Sequence, residues 1–472
     1  MTLVEGGWAT ATRARLRFDE LERTTAGAVA PADRPLRAIG HSAVWANLGA
    51  GLYLLIIGAW LTPALSIPQA VIATLVGASL GAAIVAGAVH LGATENRPAV
   101  VLHRGALGES GANLYGVLAC LRHLMFGALL LGVVADVAAS VMSSYGIEGG
   151  RPLWAVLFGL LVLLMVLGGP ATTLRRWLVP SAALTLLIAI VFTYSAWSGF
   201  GVPAMLTREP SGGWPGMTGA VDIVAAVALI ALPFATDVGR LGTARSAGAA
   251  TFVGLATMTA WFVLLGAIFV PAVDGRDLAG FLLGTPAGAL ALLLLVVLEL
   301  DAAFVSLYSL ASTVRGWAPK SNGALPAVLG GAAVFVLGAA LLDPFASGDT
   351  LLLLGAAFAP LFAVLLGARA ARRWQGYGPP PLLGGLLAWS TGFLLYNWAS
   401  PLTVPGWTPA MSALFHGLLR LPFPAGVPGL SATVLGFTAA FAISVAATAL
   451  QAARAARAVG APHGAPQPAG QR

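Results

Sequence analysis

Residues 292–308 read LLLLVVLELDAAFVSLY. Taken from Pro286 to Thr313, the run is long enough to cross about 30 Å of hydrocarbon as a helix. Yet it carries Glu299 and Asp301 near its middle. An ionisable side chain at that depth costs about 3 kcal/mol on insertion scales, so such residues face a cavity or a partner and mark a functional path. The alternative is that the helix starts late and both acids sit near its end. The two positions stand about 200° apart around a helix, so they face different ways. Glu299 shares its face with Ala302, Ala303 and Ser306, and Asp301 shares one with Phe304, Val305 and Tyr308. At most one acid points squarely at a given site.

The rest of the chain has the same character. Of 472 residues 58% are hydrophobic and only 9% charged, too few charges for the surface of a soluble protein this large. The class is an all-α integral membrane protein. The formal charge of +7 does not imply nucleic acid, because Lys and Arg are scattered singly between apolar runs. The lone cysteine, Cys120, rules out an intrachain disulfide and a cysteine-based metal site. Twelve apolar runs read as transmembrane helices: 42–62, 69–93, 112–140, 152–170, 177–198, 218–236, 248–273, 284–309, 324–343, 350–369, 381–400 and 428–451. Residues 1–40 form an Arg-bearing tail without a signal-peptide core, and 452–472 an Ala/Gly/Pro-rich tail expected to be disordered. With both termini in the cytoplasm, twenty of the 25 Lys and Arg fall on the inner side and four outside, with Arg122 left within the third span. That bias fixes the orientation in a plasma (inner) membrane.

Two spans are interrupted. Asn47-Leu-Gly-Ala-Gly51 lies in the first and Leu232-Pro233 near the end of the sixth. Paired helix-weakening features five spans apart point to inverted repeats whose discontinuous helices build a site at the midplane. The repeats then run about 42–198 and 218–369, with extra helices at 381–400 and 428–451. Gly77-Ala-Ser-Leu-Gly81 is a GxxxG, expected to bring the second span close to a neighbour within the bundle.

Short stretches spread along the chain carry a family likeness: Leu65-Ser-Ile-Pro-Gln-Ala70, Leu91-Gly-Ala93 with Leu102-His-Arg-Gly-Ala-Leu-Gly108, Asp237-Val-Gly-Arg240, Leu307-Tyr-Ser309, and Gly355–Pro360 with Arg372-Arg373. In order and spacing they resemble the nucleobase–cation symporter-1 family, which includes cytosine permeases and hydantoin transporters. The resemblance implies two inverted five-helix repeats of the LeuT type plus two C-terminal helices. It implies a sodium site on carbonyls of the broken first helix, here Ala46 and Gly49, and on two residues of the eighth. The latter fall on Asp301 and Ala302, a carboxylate and a methyl where the family has a hydroxyl pair. It implies a substrate site between aromatics of the third and sixth helices. His123 aligns with the family's Gln, Phe126 with its Trp, Ala231 with the sixth-helix aromatic (Phe234 lies one turn on), and Ala303 with an eighth-helix amide, so the stacking sandwich is half retained.

The remaining polar residues have open readings. Arg122 either pairs with Glu299, Asp301, Asp136 or Asp237, or snorkels to the surface. His123 binds substrate, relays a proton, or bonds a backbone carbonyl. Asp237 and Arg240 read as a local surface pair or gate contact, and Asp136 and Asp222 as lining an outer vestibule. Asp301 either ligates Na⁺ or one acid carries a proton. The expected function is a cation-coupled symporter for a small nucleobase-like or other polar solute, working without a cofactor beyond Na⁺ or H⁺ and as a monomer, a dimer remaining open. A P-loop is absent, so ion coupling is the natural energy source. An intramembrane enzyme would need a nucleophile–base pair or metal cluster, neither of which is read here. A non-transporting sensor would need a larger cytoplasmic domain.

Overall fold

The computed structural model describes residues 19–25, 27–199, 206–207, 209–213, 215–243, 245–269, 283–284, 288–318, 320, 323–342, 348–375, 382–400, 404–422 and 430–460. Residues 1–18 of the leader, Pro286 and the tail beyond Gly460 lie outside them. Seven helices among the described residues are long and apolar enough to cross a membrane, and two bent helix pairs each make one more span. Two shorter apolar helices, Arg151–Leu167 and Leu325–Leu341, and the 18-residue helix Leu382–Ala399 complete twelve in the expected order among the described residues.

The first span is Ala38–Leu48 and Leu52–Leu61, bent by 61°; the sixth is Met217–Leu229 and Leu232–Gly239, bent by 43°. Pro233 explains the second break, since it has no N–H to donate and enters as the second residue of a new helix. The third helix is longer than expected, Ala99–Ser144. Gly108 at φ 70° kinks it, a conformation that glycine adopts without penalty, and separates a short entry helix from the span. The fifth begins earlier than expected, at Pro170, through a π-turn at Leu174–Leu178. The eighth is Gly288–Trp317, which keeps Asp301 at its centre and removes the late-start reading. The last helix continues to Gly460, beyond the expected end.

Packing repeats with a shift of five spans. The seventh span packs on both halves of the first, and the second packs on both halves of the sixth. The third packs on the fourth, ninth and tenth, and the eighth on the ninth, fourth and fifth. Five spans per repeat is an odd number, so the second copy enters the membrane from the opposite side. The closest approaches obey the same symmetry through glycine. A methyl at Gly58 would strike the seventh-span backbone at Ala267, and one at Gly92 the sixth-span backbone at Thr236. Gly77 and Gly81 face Val221 and Ala225 of the sixth span, as the GxxxG predicts. The same five residues also spell G-x-S-x-G, but Ser79 is exposed on an unbroken helix, not presented on a strand-to-helix turn.

The leader is no loose tail from Asp19 onwards. Residues 19–25 are helical, and the chain to Leu36 is laced across one end of the bundle. Glu20 accepts from Thr172 N at 2.9 Å and Thr172 Oγ1 at 2.8 Å, Glu22 from Ala324 N at 2.6 Å, and Asn96 exchanges two 2.9 Å hydrogen bonds with Val29. Arg240 belongs to this lacing. It is fully buried, not a surface residue, and donates to Gly27 O at 2.6 Å, Thr24 O at 2.9 Å and Ser312 Oγ at 2.8 Å, with Asp237 3.7 Å away. Asp222 lines no vestibule either. It is buried and caps the last helix, accepting from Ala432 N at 2.7 Å, Thr433 N at 3.0 Å and Ser431 Oγ at 2.7 Å. Asp136 pairs with Arg151 at 3.4 Å.

Candidate functional site

The two breaks face one cavity of about 70 Å³. Its wall combines Ala50 and Gly51 at the first break, Ile230 and Ala231 at the second, and residues of the third, seventh and eighth spans. A broken helix exposes amides and carbonyls that have lost their partners in the helical ladder, so these are the natural places for a polar site in hydrocarbon. Gly51 is extended at the break (φ 168°, ψ 165°) and a side chain there would run into the Glu299 carboxylate. Glu299 accepts a hydrogen bond from the Leu52 amide, the first residue of the second half-helix. A carboxylate at a helix N-terminus also meets the positive end of the helix dipole.

Across the cavity stands Arg122, which neither snorkels nor pairs with an acid. It is 0% exposed, and no carboxylate lies within 4.0 Å among the described residues. Its Nη1 donates to Ser306 Oγ at 3.2 Å and to His123 Nδ1 at 3.3 Å, while Nε and Nη2 have no partner among the described residues. The guanidinium carbon lies 4.3 Å from the Phe126 ring centre and 4.8 Å from that of Phe234, a cation–π arrangement on both rings.

Asp301 looks elsewhere. Its Oδ1 accepts from Trp177 Nε1 at 2.8 Å and its Oδ2 from Asn47 Nδ2 at 3.1 Å. That amide nitrogen is also 2.8 Å from Leu178 O and 2.8 Å from Ser181 Oγ, while Thr185 Oγ1 donates to Asn47 Oδ1 at 2.8 Å. Three oxygens, from a carboxylate, a hydroxyl and a carbonyl, therefore surround one point between the first, fifth and eighth spans. Asn47 Nδ2 occupies that point, and its two hydrogens cannot serve all three acceptors at once.

The expected residues thus divide. Phe126, Ala231, Phe234, Arg122, Glu299 and Ala302 line the cavity. Gly49 ends the first half-helix and Ala46 lies one turn before it, neither on the wall; a methyl on Gly49 would come within 2.9 Å of Leu255 O in the seventh span. His123 and Ala303 are buried behind the wall, and His123 touches the cavity only through Arg122. Asp237 and Arg240 stand apart at the laced end. The sequence reading missed Asn47 as a side-chain ligand of Asp301, and with it Trp177, Ser181 and Thr185 of the fifth span. The available signal was the polar run at the start of that span, which an apolar-length criterion passes over.

No protein-family model and no curated protein matches the chain in sequence. Solved structures do match. Mhp1, a nucleobase-cation-symport-1 family transporter in a closed conformation with bromovinylhydantoin bound, superposes with a TM-score of 0.69 at 16% identity, over 92% of this chain and 96% of that one. The inward-facing conformation of Mhp1 gives 0.60 at 16% identity, over 90% and 95%. The outward-open, substrate-bound state of a Na⁺-coupled sialic acid symporter gives 0.59 at 13% identity, over 94% and 96%. The chain therefore has the LeuT-like fold of these transporters, as its paired breaks and repeated packing require.

Proposed function

We propose that the protein is a secondary active transporter, a cation-coupled symporter that carries a small polar solute across the membrane by alternating access. The observation that carries this reading is the cavity between two helix breaks five spans apart, in a bundle with the leader laced across one end. The solute occupies the space bounded by Arg122, Phe126, Phe234 and Glu299. The coupling cation, Na⁺ or H⁺, is taken up at Asp301 beside Asn47 and Ser181. The transport neighbours named above support the transporter reading by fold. The charge asymmetry of the loops supports a plasma (inner) membrane location with both termini cytoplasmic.

Reconstitution into proteoliposomes tests this. Labelled pyrimidines, purines, hydantoins and small organic acids are offered under imposed Na⁺ or pH gradients. Accumulation driven by one gradient and abolished by its collapse is expected. Uptake indifferent to both gradients would refute symport.

A further inference from the structure

Arg122 brings a fixed positive charge to the cavity, and among the described residues no carboxylate lies within 4.0 Å of it. Glu299, which shares the cavity, is engaged by the Leu52 amide at the start of a half-helix, which offsets part of its charge. Ser306 and His123 contact Arg122 only as neutral acceptors on Nη1. The two donors left over, Nε and Nη2, are adjacent on one edge of the guanidinium, the edge that binds a carboxylate through two parallel hydrogen bonds. A buried cation without an anion is costly to keep. The rings that would stack a planar heterocycle, Phe126 and Phe234, are instead engaged by the guanidinium. What remains for a ligand is the charged edge, whose two nitrogens are themselves enclosed, so a ligand reaches it by displacing a neighbouring side chain.

We infer that the transported solute is a small organic carboxylate, held by its carboxylate on the Nε–Nη2 edge of Arg122. The inference rests on the transporter reading for the word transported, but not for binding. The cavity of about 70 Å³ confines the bound group to a small one in this conformation. An uncharged nucleobase can accept from both donors but leaves the charge unanswered.

The test compares matched pairs on purified protein: nicotinate against nicotinamide, benzoate against benzamide, and orotate against uracil, by titration calorimetry and thermal shift. At least one carboxylate is expected to bind about 10- to 100-fold more tightly than its uncharged partner, the range of a charge-assisted pair. Arg122→Gln is expected to erase that preference. Arg122→Lys, which keeps the charge without the fork, retains a reduced preference and covers the case in which Arg122→Gln does not fold. Equal affinity within every pair, a preference for the uncharged members, a preference that survives Arg122→Gln, or no binding by any carboxylate overturns the inference. Proteoliposome uptake separates the two readings. A carboxylate that binds but never crosses under any gradient counts against transport and leaves the site assignment standing. Gradient-driven uptake of uncharged solutes alone counts against the carboxylate and leaves transport standing.

Discussion

Replacing Arg240 with Met keeps most of the side-chain volume and removes the charge that joins the leader to the bundle. In the wild type the guanidinium makes hydrogen bonds of 2.6 Å to Gly27 O and 2.9 Å to Thr24 O, and one of 2.8 Å to Ser312 Oγ. Asp237 stands 3.7 Å away, 1% exposed, and also accepts from Ala99 N at 3.2 Å. Removing one partner of a buried ion pair costs about 3–5 kcal/mol, because the other charge is left without water or partner. That penalty applies where this end is sealed. In a conformation open at this end water reaches Asp237 and most of the penalty disappears. The equilibrium between sealed and open should then shift by about 3 kcal/mol, roughly 100-fold in population. Ser309 reports on it, being buried and one turn nearer the cavity than Ser312. In a background with Cys120→Ala, maleimide labelling of S309C should accelerate by about 100-fold on adding Arg240→Met. Adding Asp237→Asn should recover part of the loss, since no unpaired charge then remains. A control cysteine at Ala220, buried near the opposite end, should not respond. Unchanged labelling of S309C in a folded Arg240→Met protein would refute the reasoning, and equal acceleration at A220C would show general loosening in place of gating.

Other perturbations follow from the same contacts. Asp301→Asn should raise the cation concentration for half-maximal uptake by about tenfold or more, because one of three oxygens around the Asn47 amide loses its charge, while Glu299→Gln should leave cation dependence within about twofold; cation titration of uptake distinguishes them. Gly266→Ala places a methyl against the Leu55 backbone and should lower stability by about 1–3 kcal/mol, visible as a drop in melting temperature. Gly87→Ala meets only the Phe362 ring at 3.7 Å and should melt like wild type. Asp222→Ala uncaps the last helix and should cost about 1–2 kcal/mol, with faster amide exchange at residues 432–436 than in the helix centre.

The number of spans and the two breaks were legible in the sequence because each depends on chain-local physics. Hydrocarbon thickness sets how many apolar residues make a span, and glycine or proline weakens a helix wherever it falls. The lacing of residues 19–36 was not legible, because its bonds run to backbone carbonyls and amides of distant turns that no side-chain pattern announces. The assignment of the two acids lay between these cases. Their separation of about 200° follows from helix geometry, and one acid alone does line the cavity. But the rotation of the eighth helix about its own axis is set by packing against the third and first spans, and it turned Glu299, not Asp301, to the cavity. The same rotation also answers why one helix carries two buried acids. The halves of the first span diverge by 61°, so a helix passing the break meets one half on each face. Asp301 takes Asn47 of the half before the break, and Glu299 takes Leu52 of the half after it. A cation at Asp301 and a solute beside Glu299 would therefore act on opposite halves of one interrupted helix through two residues of another, a direct mechanical route between the two sites.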